Sequence, residues 1–171
     1  MKPKFVKESR VIKTHLVLPN ETNNHNTLFG GILMRNVDEV ASISARLHSR
    51  TDVVTASTDS VDFLNPIYQS DAVSLESFVT WTGKTSMEIF VKIIAEDFNS
   101  GDRRMAATAF LTFVSLGEDG RPIPVPGVIP ETEEEKKLNK TGQERAKIRI
   151  ERRKQSKEMA EFITITKPWE K

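Results

Sequence analysis

The sequence predicts an α+β fold in which one antiparallel sheet wraps a single long central helix, with a helical extension at the C-terminus. Three observations carry this. The chain reads as one strand, one apolar helix and then four long strands. The helix is apolar over too wide an arc to lie on an open surface. Behind a Gly- and Pro-rich stretch, a run of strong helix formers closes the chain. One sheet curling around one buried helix satisfies the first two observations together.

Taken in order, residues 5–17 alternate loosely between polar and apolar and stop at Leu18-Pro19, as a first strand does. The polar run ETNNHNT reads as a loop leading to a helix cap. Gly30-Gly31 follows, and helical periodicity runs from Ile32 to about His48. Leu33, Met34, Val37, Val40, Ala41, Ala45 and Leu47 share the apolar arc, with Arg35, Glu39 and Arg46 opposite. Segments 53–64, 72–82, 86–97 and 104–115 are rich in Val, Ile, Thr and Phe. Turn signals at Asn65-Pro66, Thr82-Gly83-Lys84 and Asn99-Ser100-Gly101-Asp102 separate them, a spacing that permits an antiparallel meander. Apolar groups stand on both faces of the last strand, so both need cover, and a symmetric dimer joined edge to edge would supply part of it. Residues 117–130 form a linker or draped loop. The helix formers of 131–157 place acidic residues first and basic ones last, the sense that the helix dipole favours. The expected division is a domain over 1–118 and a linker with charged helical tail over 119–171.

Composition narrows the chemistry. The 171 residues include no cysteine, which excludes disulfides, thiol nucleophiles and thiolate metal sites. A net charge of +1 gives no case for a nucleic-acid or membrane partner. The N-terminus shows no apolar leader and no segment approaches a membrane span, so a cytoplasmic protein is expected. No G-x-S-x-G elbow and no Walker or dinucleotide glycine pattern is present. His15, His25 and His48 lack metal-ligand spacing. His15 and His48 read as structural or surface groups, and His25 stands in the loop before the helix.

Residues 22–41 carry the chemistry. Two glycines at a helix start allow close approach to backbone and leave N–H groups for an oxygen acceptor, such as a thioester carbonyl becoming an oxyanion. A packing or turn role explains the same pair. Asp38, two turns beyond Gly31, lies on the same side of the helix at the border of the apolar arc. Periodicity alone leaves it either a locally satisfied carboxylate or a reacting one. Glu39 reads as a solvated ion pair with Arg35 one turn away.

The run NTLFGGILMRNVDEVA, with VVTASTDSVDFLNPI downstream, resembles the hotdog-fold acyl-CoA thioesterases. Within them it is similar to the cytosolic, brain-type acyl-CoA hydrolases and their bacterial relatives. The resemblance covers most of residues 8–116, and PVPGVIPETEEEKK resembles the segment following the core in that family. It implies a homo-oligomer, at least a dimer and often a trimer of dimers (a hexamer), with active sites between two hotdog units. It implies hydrolysis of fatty acyl-CoA to free acid and CoA, with no cofactor beyond the CoA of substrate and product. Asp38 is implied as general base or nucleophile and Asn23, from the opposing subunit, as its loop partner. The Gly31 N–H, with Gly30, is implied as the oxyanion donor.

For CoA itself the candidates are Gly83, Lys84, Thr85 and Ser86, a turn that otherwise reads as a plain polar hairpin. Phe63, Asn65 and Pro66 are expected to shape the cleft beside the helix, and Arg103 and Arg104 are weaker phosphate candidates. A hotdog dehydratase or hydratase and a non-catalytic acyl-CoA binder are the alternatives. The first lacks its Asp-x-x-x-x-His pattern. The basic run 143–157 reads as a solvated helix packing on a neighbouring subunit, with Trp169 and FITIT either an anchor to that neighbour or disordered.

Overall fold

A computed structural model describes residues 1–167 and 169–170. Its elements are β1 (Lys4–Phe5), a 3-10 turn (Val6–Ser9), β2 (Val11–Leu16), a second 3-10 turn (Pro19–Glu21) and α1 (Gly30–Ser49). There follow β3 (Asp52–Phe63), β4 (Asp71–Thr82), β5 (Ser86–Asp97), β6 (Arg103–Leu116), β7 (Val128–Ile129) and α2 (Glu133–Phe162). Five strands form one antiparallel sheet in the order β2-β4-β5-β6-β3. β1 and β7 pair separately and in parallel. This is the α+β hotdog arrangement, a sheet packed on one central helix with a long C-terminal helix added.

Two expectations need correction. The first strand is not continuous over 5–17: Ser9 is buried, its hydroxyl donating to the Val6 carbonyl and accepting from Val79 N–H, which folds residues 6–9 into a 3-10 turn. The four long strands are not a simple meander either. Only β4, β5 and β6 follow one another, while β3 lies beyond β6 as the far edge. The reason is α1, which leaves β2 at one edge, crosses the concave face and delivers the chain to the other.

The concave face is apolar because strand alternation aims one residue in two at the helix. Val73, Leu75 and Val79, then Met87, Ile89, Val91 and Ile93, then Ala107, Ala109, Leu111 and Phe113, meet Leu33, Val37, Val40, Ala41 and Ala45 of α1, all buried. The buried serines within this layer are hydrogen-bonded. Ser77 Oγ donates to the Val40 carbonyl at 2.9 Å and shares a 2.5 Å hydrogen bond with Ser44. Glu39 pairs with Lys13 of β2 at 2.7 Å rather than with Arg35, and Arg46 pairs with Asp52.

His48 is fully buried at the end of α1, its Nε2 at 2.9 Å from the Pro126 carbonyl and its Nδ1 without a partner among the described residues. Burial holds the imidazole below its ordinary value of 6.5; the Pro126 carbonyl opposes this and nearby Lys4 adds to it. As pH falls below 6.5 the unfolded chain takes up a proton first, so the His48 contribution to stability is complete above that value. It is lost as pH drops through the lower folded value. Thermal melts at about pH 7.5 and 5.5 are expected to show a larger fall for wild type than for His48→Gln, whose amide does not titrate. Equal falls would refute the assignment.

The convex face is covered by the chain itself. Phe78, Phe90 and Phe110 form an aromatic row across β4, β5 and β6, with ring centroids 5.8 and 5.0 Å apart, beneath Val6 and Leu138. α2 begins at a capping box, with Thr132 Oγ1 accepting from Glu135 N–H and Glu135 returning to the Thr132 N–H. It then passes diagonally over the sheet. Gly142 lies against Trp81, where a Cβ would come within 2.5 Å of the Trp81 side chain. Beyond it the contact is ionic. Glu88 of β5, buried, accepts from Arg145 at 2.7 Å and from Thr80, with Arg149 at 3.7 Å. Asp59 of β3 takes Arg149 and Arg152 at 3.3 and 2.5 Å and the Thr112 hydroxyl at 2.6 Å. The basic run therefore docks on its own sheet, where the sequence reading had it solvated and against a neighbour.

Candidate active site

The loop before α1 is fixed by Asn23. Its Oδ1 accepts from the His25 and Thr27 N–H groups at 2.9 and 3.3 Å, and its Nδ2 donates to Thr27 Oγ1 at 3.0 Å. Asn26 takes the left-handed conformation, φ 57°, which asparagine tolerates. The loop is then tied to residues 67–69: Leu28 N–H donates to the Ile67 carbonyl at 2.8 Å and Gln69 N–H to that of Asn26. His25 is exposed.

α1 opens directly from this loop at Gly30. Its N-cap, Phe29, offers no side-chain cap, and its carbonyl takes the Ile32 and Leu33 N–H groups. The Gly30 and Gly31 N–H groups thus stand at a helix N-terminus with no backbone acceptor among the described residues. Gly31 is exposed, and a Cβ there would meet the Phe29 ring at 2.7 Å. Gly30 faces a cleft of about 400 Å³ lined by Asn23, Leu28, Leu33, Phe63, Asn65 and Ile67, among others. The outer wall of this cleft is braced. Asn65 Nδ2 donates to the Met105 carbonyl at 2.8 Å, and Arg104 reaches both the Pro66 carbonyl and Asp71.

Asp38 is two turns further along α1 and exposed in the single chain. The Thr55 hydroxyl donates to its Oδ1 at 2.9 Å. Thr55 pairs with Phe113 and so stands on the concave side of β3, where the ladder shifts register at a bulge between Thr55 and Ser57. The sequence reading missed Thr55. Its signal was strand alternation, which puts Val53 and Thr55 on the face turned toward the helix.

Asn23, Gly30, Phe63, Asn65 and Pro66 thus meet in one cleft, while Asp38 and Gly31 lie on the exposed side of the same helix beside the open β3 edge. The 83–86 turn does not join them within one chain. Ser86 pairs with Val114 and Asp52 with Leu116, so that turn flanks the start of β3 whereas the cleft flanks its end. Twelve residues of β3 separate the two ends, roughly 36 Å. The turn is rigid, with Ser115 N–H on the Thr85 carbonyl and Val125 N–H on that of Lys84, both at 3.0 Å, and it exposes Lys84. Arg103 and Arg104 are already engaged, by Glu96 and Asp71. His15 sits partly buried on β2, both ring nitrogens unpartnered among the described residues.

Comparison with known proteins places the chain in a family. The model of the thioesterase superfamily matches residues 25–100. The uncharacterized acyl-CoA thioester hydrolase YkhA of Bacillus subtilis is 56% identical over 166 residues, 97% of this chain and 96% of that protein. The chain belongs to the hotdog acyl-CoA thioester hydrolases. The acyl-CoA hydrolase of Bacillus cereus superposes with a TM-score of 0.93 at 54% identity, over 96% of this chain and all of that one. That of Staphylococcus aureus, solved with butyryl-CoA and CoA, gives 0.90 at 44% identity, over 93% and 97%. In the latter an aspartate, an asparagine and a threonine have each been replaced by alanine. A hexameric acyl-CoA thioesterase is 45% identical with a TM-score of 0.87, over 89% and 97%. The rat cytosolic acyl-CoA thioester hydrolase is 41% identical over 145 residues, 84% of this chain but 38% of that longer protein. The enzyme is accordingly an acyl-CoA thioester hydrolase. No helix among its described residues is long and apolar enough to cross a membrane.

Proposed function

We propose that the enzyme hydrolyses fatty acyl-CoA at a site completed between two subunits, with Asp38 as the reacting carboxylate. The observation that carries this is the Thr55–Asp38 hydrogen bond on an open sheet edge. The three residues replaced in the Staphylococcus aureus hydrolase follow one another at the same separations along the chain as Asn23, Asp38 and Thr55. Thr55 occupies one oxygen of Asp38 and fixes the plane of the carboxylate, leaving Oδ2 for a water or a thioester carbon. As general base, Asp38 takes a proton from water as the oxygen attacks the carbonyl, then returns it to the departing CoA sulfur. As nucleophile it attacks the thioester carbon, breaking the C–S bond to expel the CoA thiolate, and the resulting acyl anhydride is opened by water to free acid and the regenerated carboxylate, one released proton going to the thiolate. In either course the carbonyl oxygen gains charge, and the Gly31 N–H, with Gly30, is aimed where a helix N-terminus stabilises it.

Antiparallel pairing of β3 with its symmetry mate brings the partner's cleft, with its Asn23, toward Asp38 of the first subunit. It also carries the partner's 83–86 turn to the cleft end of β3. Lys84 then serves the phosphates of CoA bound beside Phe63 and Asn65 of the other chain. On this reading residues 1–118 are the thioesterase domain and 119–171 its covering tail, the working unit is a cytoplasmic dimer, and three dimers make the hexamer known in relatives. Lys84→Ala is expected to raise KM for CoA esters roughly tenfold at unchanged kcat, as for lost ground-state binding. Steady-state kinetics with unchanged KM would remove Lys84 from the site. The proposal as a whole is tested by thiol release from acyl-CoAs of graded length, wild type against Asp38→Asn.

A further inference from the structure

Where α1 ends and β3 begins, the surface is basic. Lys84 and Arg50 are exposed there with no carboxylate partner among the described residues, and Arg46 is held by Asp52 at 3.0 Å. One residue of β6 joins the two unpaired cations. Ser115 donates its N–H to the Thr85 carbonyl at 3.0 Å and shares a 2.7 Å hydrogen bond between hydroxyls with Thr51. Arg50, at the entry to β3, therefore lies two strand spacings, about 10 Å, from β5 and the 83–86 turn.

Arg50 closes α1 in the left-handed conformation, φ 60°, where glycine or asparagine is the ordinary residue. Its N–H donates to the Arg46 carbonyl at 2.8 Å, which fixes the corner. With Ile43, Arg46, Leu47, Thr51 and Asp52 it lines a pocket of about 500 Å³. Two guanidinium groups there face the single carboxylate of Asp52, so the walls are net positive. Twelve residues of α1, roughly 18 Å, separate Arg50 from Asp38, a span comparable to an extended pantetheine arm.

We propose that Arg50, with Arg46 beside it, binds the 3′-phosphate of CoA. The assignment rests on the proposed function, in which the thioester reacts at Asp38 and Lys84 of the same chain serves the same CoA. It adds the residue that selects CoA among thioesters. CoA carries its phosphates in two places, a diphosphate next to the pantetheine arm and a monophosphate on the ribose. Lys84, a point charge on a turn, serves one of them. The monoester has the denser charge, about −1.5 to −2 at pH 7, and its oxygens match a guanidinium fork. A walled pocket also suits a ribose phosphate better than a flat turn does. Pantetheine thioesters on carrier proteins lack this group, so Arg50 favours CoA over them.

Arg50→Asn removes the cation and keeps a residue that tolerates the left-handed corner, so the end of α1 survives. Its KM for an acyl-CoA is expected to rise roughly tenfold at unchanged kcat, as for a lost charge-assisted hydrogen bond. With the same acyl group on dephospho-CoA, wild type and Arg50→Asn should share one KM. An equal rise for both substrates would move Arg50 to the diphosphate and overturn the assignment. An unchanged KM for acyl-CoA would remove Arg50 from the site. Either result leaves the hydrolytic reading standing, which fails instead if Asp38→Asn keeps wild-type turnover in the same assay.

Discussion

Asp38→Asn is expected to keep the fold and assembly and to reduce kcat by roughly 100-fold or more, the range for loss of an essential general base. The fold is insensitive because Asp38 is exposed and supports no buried group. An asparagine oxygen can still accept from the Thr55 hydroxyl, so the position of the side chain survives while its basicity and nucleophilicity do not. KM should change far less than kcat, since the carboxylate acts on the reacting carbon rather than on the CoA moiety. A thiol-trapping assay with acyl-CoAs of several lengths separates the outcomes. Near-wild-type turnover in the variant would move the chemistry away from α1. Wild-type silence at every length, with CoA esters still bound, would contradict the hydrolase itself.

Much of the fold was legible in the sequence because its signals are local. The helix read from Ile32 is α1 from Gly30, and the four strands fall within one or two residues of β3 to β6. Alternation and turn residues set those boundaries without knowledge of the rest of the chain. The strand order was not legible, since no local signal tells whether β3 turns back on β4 or is carried past β6. The 3-10 turn at residues 6–9 was hidden too, because it depends on Ser9 meeting Val79 far along the chain. At the site, Asp38 and the glycine pair stood out by spacing on one helix. Thr55 did not, because its role exists only once β3 lies beside α1, a 17-residue separation closed by the fold. The docking of α2 was hidden for a different reason. A helix held by arginines on one buried and one partly buried carboxylate has no apolar periodicity over its docked length, so its sequence resembles a solvated one.

That docking makes Glu88 the most sensitive position on the convex face. Its carboxylate is buried and receives Arg145, Arg149 and the Thr80 hydroxyl, while Asp59, the second carboxylate, is already shared between Arg149 and Arg152. Glu88→Ala would leave two guanidinium groups over a largely dry sheet with one carboxylate to divide among three arginines. Removing one partner of a buried ionic contact costs about 3–5 kcal/mol, mostly the penalty of the charge left behind. For a chain of this size that corresponds to a fall in Tm on the order of 10 °C, read at fixed protein concentration because assembly also moves Tm. The origin of the loss separates this from simple cavity formation. Adding Arg145→Met to Glu88→Leu removes charge from both sides, and the double variant should recover a large part of what Glu88→Leu alone loses, since an apolar pair of similar volume replaces such a bridge at little net cost. Losses that merely add would mean that α2 is held by packing around Trp81 and Leu138, with the arginines as bystanders.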